Sequence, residues 1–299
     1  MRTPFTGVGT ALITPFTKSG ALDEGAVKAL AMRQVDNGIH FLVPCGTTGE
    51  TPTLSAAERR RVVEVVLEAA NGRVPVMAGA GGYDTQEVVH VAREMQSIGV
   101  QGLLSVTPYY NKPTPEGLYA HFSKIAEATN LPVLLYNVPG RTGCNIDATT
   151  CAKLATIPKV IGVKEASGNI TQMVEVVKAV PSDFLVLSGD DALTVPLMSI
   201  GGRGLISVAS NSIPAEMVKM VEAAERGDYA AARMQHQRLV PMMLGNFMES
   251  NPGPVKYAMS VMGLCELSFR LPMVPPRPAS QEKMRALLKE LDVVKGVQA

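Results

Sequence analysis

The chain has 299 residues, of which 46% are hydrophobic and 18% are charged. A chain of this length and apolar content can bury a large core, which excludes a disordered protein. Its 28 basic and 27 acidic residues give a formal net charge of +1, and this balance predicts neither a nucleic-acid partner nor an anionic membrane surface. The length fits either two domains or one large α/β barrel.

The N-terminal segment does not have the pattern of a secretory signal. It has no basic region followed by a sustained apolar stretch, as a secretory signal requires. No segment approaches the ~18 uninterrupted apolar residues of a membrane span. The four cysteines are scattered without C-x-x-C spacing, which favours small buried side chains over disulfides. We therefore expect a cytoplasmic protein.

Short β-rich runs alternate with helical stretches along most of the chain. The runs lack strict polar alternation, which is typical of strands buried on both faces of a parallel sheet. Eight strands are predicted, at 7–13, 41–43, 74–78, 102–106, 133–136, 160–164, 184–187 and 204–208.

Helix-start signals lie between the predicted strands. Ser55 precedes Glu58 with the spacing of a capping box. The N-caps predicted for later helices are Asp84, Thr114 and Asn169, and a proline follows Thr114 at the first helical position. The chain therefore repeats a strand–helix unit.

Eight such units predict an α/β fold in which the parallel strands close into a (β/α)8 TIM barrel. An open, doubly wound sheet is the alternative, but the nearest dinucleotide fingerprint, at 79–84, has Asp where its third glycine belongs. Strand signals stop after residue 212, and the remaining sequence is helical and rich in methionine. We predict a catalytic barrel at 1–225 and a C-terminal helical extension at 226–299.

Lys164 is the sharpest candidate for chemistry. In a TIM barrel, catalytic groups project from the carboxyl ends of the strands, and Lys164 ends the apolar run 160–163. Burial disfavours the ammonium, and a free amine can attack a carbonyl to form a Schiff base. A structural lysine paired with a buried carboxylate is the alternative.

Other polar groups follow neighbouring strands. Thr47 and Thr48 offer hydroxyl and backbone N–H groups to a carboxylate or carbonyl oxygen, although a capped turn fits the same residues. Tyr136 can pass protons, and Arg141 can hold a carboxylate at two points. Neither residue would be unusual alone.

Metal and phosphate sites have weaker signals. The four histidines are far apart and lack metal-ligand spacing. Asp190 and Asp191 could bind a cation, but an acidic start to the following helix is favoured. The segment 201–204 has one arginine and no second phosphate anchor, so it is interpreted as a turn.

Over nearly its whole length, the chain resembles the dihydrodipicolinate synthase family, which belongs to the class I pyruvate-dependent aldolases together with N-acetylneuraminate lyase. The arginine after Tyr136 is the selective feature, because the sugar-acid lyases generally lack it. The motifs that carry the resemblance are GTTGE (46–50), TPYYNKP (107–113), YNVPGRTG (136–143) and VIGVKEASGN (160–169), with SGDD (188–191), GLISVASN (204–211) and NPGPVKYAM (251–259) in support.

The resemblance implies condensation of pyruvate with L-aspartate 4-semialdehyde to 4-hydroxy-tetrahydrodipicolinate, on the route to diaminopimelate and lysine. Lys164 would form a Schiff base with pyruvate, without a metal, nucleotide or other cofactor. Tyr136 would donate and accept protons in a hydroxyl relay with Thr47 and Tyr110.

The same resemblance assigns substrate-binding positions. Thr48 and the backbone at Ile206 would hold pyruvate, with Gly189 at the end of strand seven also in the substrate site. Arg141 would take the carboxylate of the aldehyde. Family members usually supply the tyrosine equivalent to Tyr110 from a neighbouring subunit, which implies a homodimer or a homotetramer built from two dimers.

The chain departs from its feedback-inhibited relatives at an expected regulatory site. Those relatives bind lysine through two histidines and an asparagine, whereas this chain has Ala56, Arg59 and Tyr83 there, although Glu87 and Tyr109 are kept. We expect weak or absent inhibition by lysine.

Two other functions stay open at this point. A sugar-acid aldolase of the N-acetylneuraminate lyase type would use Lys164 and Tyr136 but would have little use for Arg141. A non-catalytic carboxylate-binding protein on the same scaffold is the second alternative, and the presence of every reactive residue argues against it.

Overall fold

The structure is a computed structural model that describes residues 4–292. Its eight parallel strands form one sheet in the order β2-β1-β8-β7-β6-β5-β4-β3. A bridge between Leu42 and Val76 joins the two ends of this order, so the sheet curls into a nearly closed barrel. The strands are β1 (Gly7–Ala11), β2 (Phe41–Val43), β3 (Met77–Gly79), β4 (Gly102–Val106), β5 (Val133–Asn137), β6 (Val160–Glu165), β7 (Leu185–Ser188) and β8 (Gly204–Ser207).

Helices follow the strands and surround the barrel, which confirms the predicted TIM-barrel architecture. Short 3-10 turns at Thr47–Gly49, Thr51–Thr53, Asp191–Leu193 and Ala209–Asn211 lie in the loops after β2, β7 and β8. The helices are α1 (Glu24–Asp36), α2 (Ala56–Ala70), α3 (Thr85–Ile98), α4 (Pro115–Ala128), α5 (Pro139–Thr142), α6 (Ala148–Leu154), α7 (Ile170–Ala179), α8 (Thr194–Ser199), α9 (Pro214–Glu225), α10 (Tyr229–Gly245), α11 (Gly253–Val261) and α12 (Pro278–Glu290).

The predicted helix starts are confirmed in atomic detail. The hydroxyl of Ser55 accepts a hydrogen bond from the N–H of Glu58, and the Glu58 carboxylate accepts one from the N–H of Ser55. Asp84, Thr114 and Asn169 cap α3, α4 and α7 through their side-chain oxygens. Each cap satisfies a backbone donor that the first helical turn leaves free.

The third strand differs most from its prediction. It was expected at 74–78 and lies at Met77–Gly79. Pro75 has no N–H to donate to a sheet, and Val76 gives its N–H to the Gln101 side chain and forms an isolated bridge to β2. The apolar run before Met77 therefore leads into the barrel without regular pairing.

Apolar side chains form two layers. One layer fills the barrel, where Phe41, Leu104, Tyr136, Leu187 and Ile206 belong to a single buried cluster. A larger cluster fills the space between the strands and the surrounding helices. Because successive strand residues face opposite sides, each strand contributes to both layers.

The C-terminal part is helical, as expected. Helix α10 packs on α8 and α9, α11 packs on the turn after β8, and α12 packs on α10 and α11. Gly245, at the end of α10, allows α12 to pack closely against α10, because a Cβ atom at this position would lie only 2.5 Å from Leu287 Cδ1. The boundary between the barrel domain and the helical extension, at residues 225 and 226, stays a prediction. The last seven residues of the extension, 293–299, lie outside the described part of the chain. No helix between residues 4 and 292 is long and apolar enough to cross a membrane.

Candidate active site

Lys164 and Tyr136 meet at the carboxyl ends of two adjacent strands. They are direct register partners on β6 and β5. The Lys164 Nζ atom lies 4.2 Å from the centroid of the Tyr136 ring. Both residues are buried, with exposed fractions of 5% and 7%. The structure thus brings a buried amine and a phenol ring into contact at this end of the barrel.

The residues next in sequence fix this orientation. Asn137 and Glu165 are also register partners, but on the outward face. The Glu165 carboxylate accepts hydrogen bonds from Asn137 Nδ2 at 2.8 Å and from the N–H of Ser167 at 2.7 Å. Because strand residues alternate in direction, securing Glu165 and Asn137 outside directs Lys164 and Tyr136 inward.

Gly189 provides the space that the lysine side chain occupies. A Cβ atom at this position would lie 3.0 Å from Lys164 Cε and 2.5 Å from Ala166 Cβ. Its N–H donates to the Glu165 carbonyl at 2.7 Å, which holds it close to β6. The absence of a side chain at Gly189 is therefore a steric requirement for the observed lysine conformation.

Thr48 and Arg141 are connected through Asn251, which belongs to the motif 251–259 but was not predicted as a site residue. Asn251 Nδ2 donates to Thr48 Oγ1 at 3.0 Å, and Arg141 Nη2 donates to the Asn251 carbonyl at 3.2 Å. Asn251 is buried, and its Oδ1 has no hydrogen-bond partner within residues 4–292. Thr48 is buried, Thr47 beside it is half-buried, and Arg141 is exposed.

Ile206 lies inside the barrel on β8, in the same apolar cluster as Tyr136. The loop that follows it is held by Asp191, whose carboxylate accepts hydrogen bonds from the N–H groups of Val208 and Ala209. Burial raises the pKa of Asp191 to about 6, against the opposing effect of these hydrogen bonds. Asp191 thus supports the backbone of the β8 loop.

Of the acidic pair, Asp190 has the favoured role at the start of the following turn, whereas the Asp191 carboxylate binds the β8 loop. The Asp190 carboxylate caps the turn after β7 by accepting from the N–H of Ala192 at 2.9 Å. No group of three or more His, Cys, Asp or Glu side chains within the described 289-residue range 4–292 is arranged to hold a metal ion.

Tyr110 is not brought to the reactive lysine within this chain. Its side chain is 93% exposed, and its backbone has a φ of 69°, in the left-handed region that non-glycine residues rarely adopt. Nearby, the rings of Tyr83 and Tyr109 pack edge to face with centroids 5.2 Å apart. Tyr110 therefore projects away from the rest of the chain.

A pocket of about 650 Å³ lies beside Tyr110 and Arg141. Lys112 also lines it, so its wall carries two cationic side chains and no carboxylate. This charge suits an anionic molecule. The remaining lining residues are Tyr109, Pro139, Gly140, Thr142 and Gly143.

Sequence reasoning missed a buried ion pair behind the threonine loop. Lys256 Nζ lies 2.6 Å from Glu50 Oε1, and the two side chains are 0% and 1% exposed. Glu50 belongs to the motif 46–50 and Lys256 to the motif 251–259, but nothing in either motif indicates that they meet. The two residues are separated by 206 positions.

Comparison with known proteins agrees with this geometry. The sequence profile of the dihydrodipicolinate synthetase family matches residues 4–291. The chain is 52% identical over 291 residues to 4-hydroxy-tetrahydrodipicolinate synthase of Koribacter versatilis, with 97% of each chain covered. The solved structure of dihydrodipicolinate synthase from Thermotoga maritima is 42% identical with a TM-score of 0.96, covering 98% of this chain and 100% of that one.

A third relative has a ligand. The crystal structure of the Cyanidioschyzon merolae enzyme with lysine bound is 38% identical, with a TM-score of 0.94, and covers 97% of this chain and 99% of that one.

Proposed function

The chain belongs to the dihydrodipicolinate synthetase family, and from this premise we propose that Lys164 carries pyruvate as a Schiff base while the enzyme condenses it with L-aspartate 4-semialdehyde. The product is 4-hydroxy-tetrahydrodipicolinate, an intermediate of diaminopimelate and lysine biosynthesis. The observation that carries the proposal is the buried Lys164 amine against Tyr136, with no ion-pair partner among residues 4–292.

The Lys164 amine attacks the ketone carbon of pyruvate, and loss of water leaves an iminium ion. The iminium withdraws electrons from the neighbouring methyl group, which loses a proton and gives an enamine. The enamine carbon then attacks the aldehyde carbon and forms the new C–C bond. The amino group of the former aldehyde substrate then attacks the imine carbon and displaces the Lys164 amine, which closes the ring of the product and regenerates Lys164. The protein supplies the covalent catalyst, so the proposed reaction uses no cofactor.

Proton transfers require a group beside the lysine, and Tyr136 is in contact with it. We assign Tyr136 as the donor and acceptor of these protons. Thr47 lies one residue from Thr48 in the turn after β2, and we propose that it continues the relay toward Tyr110 of a second subunit.

Thr48 is set up to donate to the pyruvate carboxylate. Its hydroxyl oxygen accepts from Asn251, so its own proton stays free for the ligand. The backbone at Ile206, on the inner face of β8, is proposed as a second contact, and Gly189 keeps room for the substrate above Lys164. Arg141 on the cationic pocket is assigned to the carboxylate of the aldehyde.

A substrate comparison tests the proposed function. We expect turnover with pyruvate and L-aspartate 4-semialdehyde, which is measured in an assay that couples product formation to reduction of the product. We expect no cleavage of N-acetylneuraminate above background. Cleavage of the sugar acid without condensation would assign the enzyme to the sugar-acid aldolases. Binding of pyruvate without turnover of either substrate would favour the non-catalytic alternative.

We propose that a homodimer, alone or paired into a homotetramer, completes the site by supplying Tyr110. The exposure of Tyr110 supports this arrangement. Mixing the inactive variants Lys164→Ala and Tyr110→Phe tests it, because a mixed dimer would contain one site with both native residues. Recovered activity is expected after subunit exchange. No recovery, with mixed dimers detected by native mass spectrometry, would show that Tyr110 serves its own chain.

Weak inhibition by lysine follows from the expected regulatory site. Arg59 Nη2 lies 3.9 Å from Glu87 Oε1, and Tyr83 packs against Tyr109. The histidine and asparagine groups expected to hold lysine are absent from these positions. An initial-rate series with millimolar lysine should show little inhibition, and near-complete inhibition would contradict this proposal. The cytoplasmic location stays a prediction.

A further inference from the structure

Glu50 has an unusual position for an acidic residue. It closes the 3-10 turn that contains Thr48, with a left-handed backbone at φ 52°, and its carboxylate points into the interior instead of into solvent. One carboxylate oxygen contacts Lys256 Nζ at 2.6 Å. The N–H of Arg270 lies 3.4 Å from the other oxygen. The carboxylate is thus held almost entirely by one side chain.

Lys256 is held equally narrowly. Its ammonium lies 4.2 Å from the centroid of the Phe16 ring and 5.0 Å from that of the Phe269 ring. Glu50 is its one carboxylate partner among residues 4–292. Burying two charges costs several kcal/mol for each ion, and a well-packed apolar pair is often equally stable or more stable. Stability alone therefore does not account for an ion pair here.

The pair ties together the same two segments that meet in the substrate site. Glu50 is two residues after Thr48, and Lys256 is five residues after Asn251. At the site, the two segments are joined by the hydrogen bond from Asn251 to Thr48. The ion pair is a second connection behind it, between the turn after β2 and helix α11.

We propose that Glu50 and Lys256 are positioning residues that fix Thr48 and Asn251 relative to each other for pyruvate binding. The inference rests on the proposed function, because it assumes that Thr48 binds the pyruvate carboxylate. Neither side chain touches substrate. An ammonium–carboxylate pair restrains distance and direction together, whereas apolar side chains can slide past each other. A small displacement of Thr48 weakens its bond to the ligand.

The test compares stability with pyruvate binding in the full-length protein. Glu50→Gln and Lys256→Met each break the pair, and Glu50→Leu combined with Lys256→Met replaces it with apolar groups. The double variant is expected to recover most of the unfolding midpoint lost in the single variants. Its half-saturating pyruvate concentration for borohydride trapping at Lys164 is expected to stay at least about fivefold above wild type.

Recovery of both the unfolding midpoint and the pyruvate half-saturation to within twofold of wild type would overturn the proposal, because the pair would then be structural only. Arg238→Met is the control. It breaks the ion pair of Arg238 on α10 with Glu216 on α9, and neither residue contacts Glu50, Lys256, Thr48 or Asn251. This control is expected to lower the unfolding midpoint and to leave the pyruvate half-saturation unchanged.

A conservative variant covers the case in which the double variant does not fold. Glu50→Asp keeps the charge and draws the carboxylate back by one methylene group. Its pyruvate half-saturation should rise while turnover at saturating pyruvate changes less than twofold, and an unchanged half-saturation would contradict the proposal. Wild-type protein is the separate control for the proposed function, since absence of its pyruvate adduct refutes the Schiff base itself.

Discussion

Two buried lysines of this chain have opposite surroundings. Lys164, at the end of β6, is 5% exposed and faces the Tyr136 ring, with no carboxylate partner in the described residues. Lys256, on α11, is 0% exposed and contacts Glu50 at 2.6 Å. The same side chain in the same protein is therefore either held available for reaction or committed to an ion pair. The neighbouring carboxylate, and not burial itself, distinguishes the two.

The sequence separates these lysines only partly. Lys164 ends an apolar run, and strand alternation directs it into a barrel, so its position could be predicted from local pattern. The structural alternative for Lys164, a lysine paired with a buried carboxylate, describes Lys256 instead. Finding that pair requires knowing that α11 packs against the turn after β2.

The largest effect is expected from Lys164→Ala. Removing the amine should abolish the pyruvate adduct and lower turnover by at least about 10³-fold, because no other group supplies the covalent intermediate. Stopped assays with borohydride and steady-state rates measure both effects. Lys164→Arg is the control, since it keeps a positive charge but cannot form the Schiff base, and it should be equally inactive. Turnover within tenfold of wild type would remove Lys164 from the mechanism.

Lys256→Met should have its main effect on stability. Without its ammonium, the Glu50 carboxylate is buried and unpaired, which costs about 3–5 kcal/mol of unfolding free energy. Urea denaturation measures this loss, and the adduct should still form on Lys164 at saturating pyruvate. A loss below about 1 kcal/mol would show that the carboxylate finds another partner or is hydrated.

Asp191 is a buried acidic residue whose carboxylate is held by backbone N–H groups instead of a cation. Its contribution to the free energy of unfolding depends on pH. Because burial raises its pKa from 3.8 to about 6, the folded protein takes up this proton at a higher pH than the unfolded chain does. The ionised carboxylate therefore lowers the free energy of unfolding above about pH 6, and this loss disappears below about pH 4, where the group is protonated in both states. Relative to wild type, Asp191→Asn should gain up to about 3 kcal/mol between about pH 4 and pH 7.

Chemical denaturation of both proteins across this pH range measures that difference. Asp190→Asn is the matched control, because Asp190 is adjacent but less buried and caps a turn. A wild-type minus Asp191→Asn difference that is constant with pH, or that changes in the opposite direction, would contradict the raised pKa.

Arg141→Ala should have the smallest effect of these changes and should separate the two substrates. Arg141 lies on the exposed pocket and reaches Thr48 only indirectly, through the carbonyl of Asn251, so the adduct should still form and its pyruvate half-saturation should rise by less than about threefold. The kcat/KM for the aldehyde should fall by about 10–100-fold because one carboxylate contact is lost. An equal loss with both substrates would place Arg141 at pyruvate as well.

The sequence predicts the barrel well, because each strand and helix start has a local signal. Ser55 and Glu58 form the expected capping box, and β6 lies within one residue of its prediction. The β3 prediction was displaced because Pro75 interrupts pairing within an otherwise strand-like run. Local pattern thus predicts elements, and its errors arise where pairing decides the boundary.

The candidate site could be predicted where its residues lie at the end of a strand, as Lys164 and Tyr136 do, or in the loop after one, as Thr48 does. Asn251 could not, because it follows a helix and meets Thr48 across 203 positions of sequence. Contacts of this kind depend on where the C-terminal helices pack, which no local pattern encodes. The same reason hides the pairing of Glu50 with Lys256.

Mass spectrometry of peptides from wild-type protein that has been incubated with pyruvate and reduced with borohydride distinguishes the two buried lysines. We predict a single reduced pyruvate adduct on the peptide that contains Lys164, and no adduct on the peptide that contains Lys256. An adduct on Lys256, or none on Lys164 at saturating pyruvate, would contradict the assignment of the unpaired buried amine as the catalytic one.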